Sequence, residues 1–319
     1  MRKFGGYYIA AGALLFTLAV TALAKRYGQL LDAFYPYVTR WGQKILAGIS
    51  GIFPFPLWQV IAILLMLTLV GTLALVIWKK KSLIRWLGWV LAAVSLLWCA
   101  HTCIYGLNAY TGPLSQDLRL ESRTLTQADF DDARLYFKAQ ADQAASQLPR
   151  DGQGNVVFDP FDILAAKAAN GFQNLTKEGY AVFAGSVQPT KKLLWPGLFS
   201  NLGQDGISVA LTGEACVNPN LPPQQLPFVM CRQMARRMCI VRGRDADFAA
   251  FLACQANEDI QFQYAAYHMA CLALDSDEAL AALLVNWHLQ ETEQGSQEQT
   301  KFDPTDKDYI SGILGDKDD

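Results

Sequence analysis

The chain has 319 residues, of which 52% are hydrophobic and 18% are charged, and its formal net charge is −2. This length accommodates a membrane anchor and one globular domain, and so few charges are unusual in a protein that is soluble throughout. Residues 1–105 contain ten lysines and arginines and one acid, whereas residues 106–319 contain 17 lysines and arginines and 28 acids. A basic apolar part followed by an acidic part argues against nucleic-acid binding.

Three apolar stretches are long enough to cross a bilayer, which requires about 20 residues. They predict spans at about residues 4–24, 58–78 and 86–105, so that residues 1–105 form a membrane domain and the lipid bilayer is a partner. The first stretch is too long for a cleaved signal peptide and lacks a small-residue cleavage site before its basic end. We therefore expect it to remain as an anchor.

Basic residues predict the orientation of these spans. Arg2 and Lys3 precede the first span, and a lysine triplet at 79–81 with Arg85 fills the turn between the second and third. Four basic residues in the loop 25–57 weaken this asymmetry without reversing it. We predict a bacterial cytoplasmic-membrane protein with its N-terminus inside and its C-terminal domain extracytoplasmic.

Residues 27–50 carry apolar side chains at helical spacing, among them Leu31, Phe34, Val38 and Trp41. This pattern predicts an amphipathic helix at the outer membrane surface. The alternative is that the segment packs on the spans or on the domain that follows, and both arrangements can hold together.

Residues 106–292 are predicted to form one mainly α-helical domain of the α+β class with a small sheet. A threonine cap predicts a helix over 126–147, and further helices are expected over 160–171 and 275–292. Alternation between Gly206 and Leu211 predicts a strand. The segment 293–319 is polar and is expected to be a partly flexible tail.

The stretch 226–264 predicts a helix, a short basic loop broken at Gly243 and a second long helix. The first helix carries R-Q-M-A-R at 232–236. A zinc metalloprotease carries H-E-x-x-H at such positions, where two histidines one turn apart bind zinc and the glutamate between them deprotonates the metal-bound water.

Four motifs connect the chain to a known family: FPFPL before the second span, TGEACVN, LPFVMCRQMARRMC and DADFAAFLACQAN. With the three-span layout, they resemble the DUF3810 family of bacterial three-span membrane proteins with a C-terminal gluzincin-like domain. The resemblance covers nearly the whole chain and weakens after about residue 292. It implies a zincin-like fold for the C-terminal domain.

The chemistry departs from that family pattern. Arg232 stands at the first histidine position, Gln233 at the glutamate position and Arg236 at the second histidine position. By analogy with E-x-x-A-D zinc proteases the third metal ligand falls at Gly243, and Asp245 is the other candidate. Because arginine has no lone pair to donate, we predict no metal, no cofactor and no catalytic residue, and hence a pseudoprotease.

The arrangement of helices that the resemblance implies, which we call the family frame, directs Arg232 and Arg236 into a cleft. Arg237 and Arg242 are expected at the surface. Other charged residues are candidate members of the cleft or bridge partners of these arginines: Arg244, Asp245, Asp247 and Glu214. In one interpretation an Arg–carboxylate bridge replaces the metal and joins two helices. In a more specific interpretation, the cleft binds an acidic peptide or a C-terminal carboxylate without cutting it.

Two other functions remain open. One is a hydrolase that uses non-zincin residues such as Cys231 or Glu214, and the other is a purely structural membrane protein. The seven cysteines form no C-x-x-C pair, so they indicate buried apolar side chains and not a metal site or a disulfide framework. The first choice is a non-catalytic, membrane-anchored homologue that binds a peptide or a partner protein, or serves as a regulator or scaffold.

Overall fold

The structure, a computed structural model, describes residues 4–121 and 123–301. Its N-terminal third is helical: α1 (Gly5–Arg26), α2 (Gly28–Asp32), α3 (Tyr35–Gly51), α4 (Leu57–Trp78) and α5 (Leu83–Ile104). Three of these helices, α1, α4 and α5, are long and apolar enough to cross a membrane, as the sequence predicts. They therefore indicate an association with the membrane.

Small residues bring α1 and α5 close together. A Cβ placed on Gly6 would lie 2.4 Å from the carbonyl carbon of Gly88, and Ala10 and Ala92 are buried in the same contact. Helices in lipid commonly pack through such small residues. Lipid tails are as apolar as the side chains, so no hydrophobic effect drives the helices together and close packing is needed instead. By contrast, α4 stands largely apart, and Gln59 is its one buried residue.

Both interpretations of residues 27–50 have a counterpart in α3. Its small and polar face is buried against the rest of the chain, where the Gln43 amide donates to the Ala210 carbonyl at 2.9 Å. Its apolar face, including Val38, Trp41 and Ile49, is exposed. The helix is thus amphipathic, with its polar side toward the protein.

The C-terminal domain contains eight α-helices, three 3-10 helical turns and three short strands within the described residues. The helices are α6 (Leu114–Asp117), α7 (Gln127–Gln147), α8 (Phe161–Lys177), α9 (Pro196–Asn201), α10 (Leu226–Arg237), α11 (Gly243–Gln255), α12 (Ile260–Ser276) and α13 (Glu278–Lys301). The strands are β1 (Lys191–Lys192), β2 (Gly206–Val209) and β3 (Glu214–Val217). The fold is mainly helical with a small sheet, as predicted.

The three strands form one sheet in the order β1-β3-β2. β3 pairs in parallel with β1 and antiparallel with β2, so that Cys216 faces both Lys191 and Ile207. All four residues of β3 are buried. The sequence predicted only the β2 strand, because β1 and β3 are too short to show an alternating pattern.

The core of the domain lies where α8, α10, α11 and α12 meet. Its largest buried apolar side chains include Phe172, Met234, Phe248 and Phe262. Burial of each such side chain contributes about 1.5–3 kcal/mol. Because α10 is buried almost all around, its few polar side chains have defined positions.

Several predicted boundaries were wrong for reasons that lie in packing. α8 does not end at Gly171; a Cβ there would lie 1.7 Å from the Ala253 carbonyl oxygen, so the glycine permits contact with α11. Gly243 begins α11 instead of breaking a loop, and the second long helix is interrupted at 256–259. α13 continues to Lys301, and residues 302–319 of the predicted tail lie outside the described residues.

Candidate functional site

Arg232 lies in the middle of α10 and is held by two carboxylates. Its Nη1 donates to the Oδ1 of Asp247 on α11 at 3.3 Å, and its Nη2 is in close contact with the Oδ2 of Asp205, directly before β2. Only 16% of the Arg232 side chain is exposed. The arginine therefore ties α10 to α11 and to the start of the edge strand β2.

The electrostatics of this bridge centre on Asp247. Burial raises the pKa of the Asp247 carboxyl, and the neighbouring Asp205 carboxylate adds to that effect. Arg232, through its charge and hydrogen bond, and Arg236, through its charge, act in the opposite direction and lower the pKa. Arg232 thus stabilises a carboxylate that burial alone would disfavour.

Arg236, one turn further along α10, has a different environment. Within residues 4–121 and 123–301 its side chain makes no ion pair and no hydrogen bond, and its Nε is buried without a partner. Its charge nevertheless acts on Asp247 and on Tyr105, directly after α5. Arg236 is the cation of this site that has no carboxylate of its own among the described residues.

Gln233 lies between the two arginines and is fully buried. Neither its Nε2 nor its Oε1 has a hydrogen-bond partner in the described structure. Its side chain packs against Gly206, where a Cβ would lie 2.9 Å from the Gln233 Cγ. The α10 helix and the β2 strand are therefore in direct contact at Gln233.

The two candidate third-ligand positions separate in space. Gly243 is exposed at the start of α11, where a Cβ would meet nothing within 4 Å, and Asp247 follows it by one helical turn. Asp245 points elsewhere and accepts a hydrogen bond from the Leu114 amide at 3.1 Å. Burial raises the pKa of Asp245.

Two predicted partners of Arg232 and Arg236 lie apart from these arginines. Glu214 is buried in β3, where its carboxylate accepts hydrogen bonds from the Leu57 and Trp58 amides at 2.8 Å each and from Lys191 at 2.7 Å. Arg244 is exposed and pairs with Asp277 at 3.3 Å. Neither contacts Arg232 or Arg236, because β3 turns Glu214 toward α4 and the start of α11 turns Arg244 toward α13.

The prediction that Arg237 lies at the surface was wrong. Arg237 is fully buried, and its guanidinium donates to the Ser186 carbonyl at 3.1 Å and closely contacts the Gln188 carbonyl. Burial lowers its pKa to about 10, so the side chain stays charged at neutral pH. Arg242 is exposed as predicted, although it also donates to the Thr111 carbonyl at 2.6 Å.

The residues suggested for a non-zincin hydrolase are inaccessible. Cys231 is fully buried, and its thiol contacts the Ala168 carbonyl at 3.8 Å. Glu214 is also buried, and its carboxylate is occupied by the α4 amides and Lys191. All seven cysteines are unpaired. Neither side chain is placed to attack a substrate.

A model of one protein family, described as "Protein of unknown function (DUF3810)", matches residues 32–278. This range is more than three quarters of the chain. The chain belongs to the DUF3810 family. No curated protein and no solved structure matches it.

The DUF3810 match begins at the end of α2 and ends at the start of α13. It therefore includes two of the three apolar helices, the whole sheet and every residue of the Arg232 site. Residues 1–31 and 279–319 lie outside the match, so it is narrower than the expected resemblance and excludes α1 and nearly all of α13.

Sequence reasoning missed two residues that organise this DUF3810 domain, Asp205 and Lys191. A signal for Asp205 was present, since it directly precedes the predicted strand beside the R-Q-M-A-R helix. Lys191 gave no such signal, because its role depends on the long-range pairing of β1 with β3.

Proposed function

We propose that this DUF3810 protein is a membrane-anchored, non-catalytic protease homologue whose cleft binds an extended peptide segment that carries a carboxylate. The observation that carries the proposal is the double ion pair of Arg232 with Asp205 and Asp247. It occupies the position where the family frame would hold a metal. An arginine held in this way cannot bind zinc, and its departure would leave two carboxylates without this partner.

The position of Asp247 supports a zincin-like ancestry for the domain. A metal-binding histidine almost always donates its second ring N–H to an outer carboxylate or carbonyl. Asp247 bonds the side chain at the first histidine position and lies one turn after Gly243, on the same face of α11. That spacing favours Gly243 over Asp245 as the lost third ligand and Asp247 as the retained outer carboxylate.

Two features favour peptide binding at this cleft. Within the described residues β2 pairs with β3 alone, so its other edge is free to hydrogen-bond an extended segment. Arg236 is the half-buried cation that lacks an internal carboxylate among these residues. A guanidinium in such a site forms strong, often bidentate bonds to a carboxylate.

The arrangement of the spans supports an extracytoplasmic domain. The end of α1, the start of α4 and the end of α5 all lead toward the C-terminal domain, whereas the lysine triplet at 79–81 lies in the opposite turn. Basic turns are retained on the cytoplasmic side. The domain, with Arg236, would then face the extracytoplasmic space.

Metal content tests the non-catalytic part of the proposal. Elemental analysis of the full-length protein, purified without chelators and dialysed, should find zinc far below one equivalent per chain. Stoichiometric zinc that survives dialysis would contradict it.

Peptide selection tests the binding part. A displayed pool of random peptides with free C-termini, screened against the protein in nanodiscs, should enrich acidic sequences. The substitution Arg236→Gln should weaken their binding about tenfold or more, since hydrogen bonds to charged groups contribute about 1.5–3 kcal/mol. Arg244→Gln is the matched control and should leave binding unchanged. Equal binding by the Arg236→Gln variant and the native protein would overturn this part.

A further inference from the structure

The segment from Leu194 through α9 to Leu202, which we call the α9 segment, exposes four large apolar side chains. Their exposed fractions are 42% for Leu194, 49% for Trp195, 55% for Leu198 and 63% for Leu202. Trp195, Leu198 and Leu202 follow one another at spacings of three and four residues, which places them on one side of the short helix. In water this would be an unfavourable surface.

The polar side of the α9 segment is fixed to the domain. The Asn218 side-chain amide donates to the Ser200 hydroxyl at 2.9 Å and to the Gln204 carbonyl at 3.3 Å. The Asn218 backbone amide also donates to the Asp205 carbonyl at 2.8 Å. These bonds hold the polar side of the segment against the domain, whereas its apolar side chains stay exposed.

Contacts with α4 fix the level of the segment relative to the membrane. The Leu194 amide donates to the Gln59 side chain at 2.9 Å, and the Phe199 ring meets the Trp58 ring edge-on with centroids 6.4 Å apart. Trp58 and Gln59 belong to the first turn of α4. A helix of 22 residues is about 33 Å long, close to the hydrocarbon thickness of about 30 Å, so its first turn lies at the bilayer boundary.

We propose that the α9 segment inserts its apolar side into the lipid leaflet at the N-terminal end of α4. The occupant of this surface is the bilayer itself, because the surface is continuous with a membrane-spanning helix at the level of its first turn. A tryptophan flanked by leucines is also the composition that favours the interface between headgroups and acyl chains. The segment is thus a point of membrane contact in addition to the apolar helices, independent of which side of the membrane the domain occupies.

Insertion has a consequence for the Arg232 site. Gly203 directly follows the α9 segment, and its φ of +64° allows the chain to turn sharply. Asp205 comes two residues later. Asp205 is one of the two carboxylates that hold Arg232. The cleft would therefore stand at the level of the lipid headgroups, where a juxtamembrane peptide segment can reach it.

Spin-label accessibility tests the proposal on the full-length protein in nanodiscs. A nitroxide is attached at Leu198→Cys and, separately, at Leu135→Cys, with the unsubstituted protein labelled in parallel to subtract native cysteines. Leu135 is the matched control, since it is a leucine 70% exposed on α7. Collision with oxygen, which partitions into lipid, is compared with collision with a water-soluble nickel chelate.

The expected result is a ratio of oxygen to nickel accessibility several-fold higher at position 198 than at position 135. A label at 198 as accessible to nickel as the one at 135 would overturn the proposal, because the surface would then be in water. Protection from both reagents would also overturn it, since a protein partner or a second copy would then cover the surface. Leu202→Cys provides a second site on the same side should the first variant fail to fold.

Discussion

Arg232 and Asp247 join α10 to α11 through a hydrogen-bonded ion pair with 3.3 Å between Nη1 and Oδ1. Both side chains are mostly shielded from solvent, at 16% and 24% exposure. A charge in this setting depends on its partner, because a buried ion left alone keeps its full desolvation cost. The pair is therefore a measurable part of the stability of the domain.

We expect Arg232→Met to destabilise the protein by about 1–3 kcal/mol near neutral pH, because it leaves a buried carboxylate unpaired. Burial already raises the pKa of Asp247, and loss of the arginine removes an opposing effect. The folded state then binds more protons than the unfolded state between the two pKa values, so stability falls as pH rises. Thermal unfolding in detergent should show a smaller deficit at about pH 5 than at about pH 8.

The control for this prediction is Arg244→Met, which removes an exposed pair with Asp277. Exposed pairs contribute about 0–1 kcal/mol. Equal losses in the two variants, or a deficit for Arg232→Met that does not change with pH, would contradict our account of the bridge.

Two neighbouring lysines allow a direct comparison of buried and exposed ion pairs. Lys191 pairs with Glu214 and Lys192 with Asp162, each at 2.7 Å. In the first pair the side chains of Lys191 and Glu214 are 12% and 0% exposed. In the second pair those of Lys192 and Asp162 are 46% and 78% exposed. We expect Lys191→Met to cost about 3–5 kcal/mol and Lys192→Met less than about 1 kcal/mol. Chemical unfolding of both variants in the same detergent measures the difference. Similar values would show that Glu214 is sufficiently satisfied by the α4 amides alone.

Gln233 buries two polar atoms that have no partner in the described structure. We expect Gln233→Met to stabilise the protein by about 1 kcal/mol, since the unmet hydrogen bonds of the amide are removed at nearly constant volume. Gln43→Met is the contrasting variant, because the Gln43 amide already donates to the Ala210 carbonyl, and it should lower the unfolding temperature. A loss of stability in Gln233→Met would contradict this expectation.

Restoring the metal ligands tests the family frame. The combination Arg232→His, Gln233→Glu, Arg236→His and Gly243→Glu should bind one zinc per chain, because Gly243 has open space for a side chain and lies one turn from Asp247. X-ray absorption should show Zn–N distances of about 2.0–2.1 Å. The same protein with Gly243→Gln is the matched control and should bind more weakly. A folded variant without zinc would show that the helix register differs from the zincin arrangement.

Local signals in the sequence accounted for much of the fold. The three long apolar helices follow from hydropathy over single segments, and the start of α7 follows from its threonine cap. The structure adds that Thr126 and Asp129 form the reciprocal bonds of a capping box. The helix that carries Arg232 and Gln233 was also apparent, because its apolar frame is continuous. Each of these features depends on residues close together in the chain.

The errors concern residues whose role depends on contacts with residues far away in the sequence. Gly171 looked like a helix end but is the contact point with Ala253, 82 positions away. Arg237 looked like a surface charge, yet carbonyls of the loop before β1 receive it in the core. Asp205 could be suspected from its place before the predicted strand, but its pairing with Arg232 depends on the contact between β2 and α10. Such pairings require the tertiary structure, since the sequence does not state which segments meet.

The carboxylate of Glu214 connects the sheet directly to the start of α4. From the central strand β3 it accepts hydrogen bonds from the first two amides of α4. The Lys191 ammonium donates to the Ser50 and Phe55 carbonyls in the segment before α4. A helix adjusts its tilt when the thickness of the surrounding bilayer changes. We therefore expect a tilt of α4 to be transmitted to β3 and to its neighbour β2, which would couple the position of Asp205 to the thickness of the bilayer.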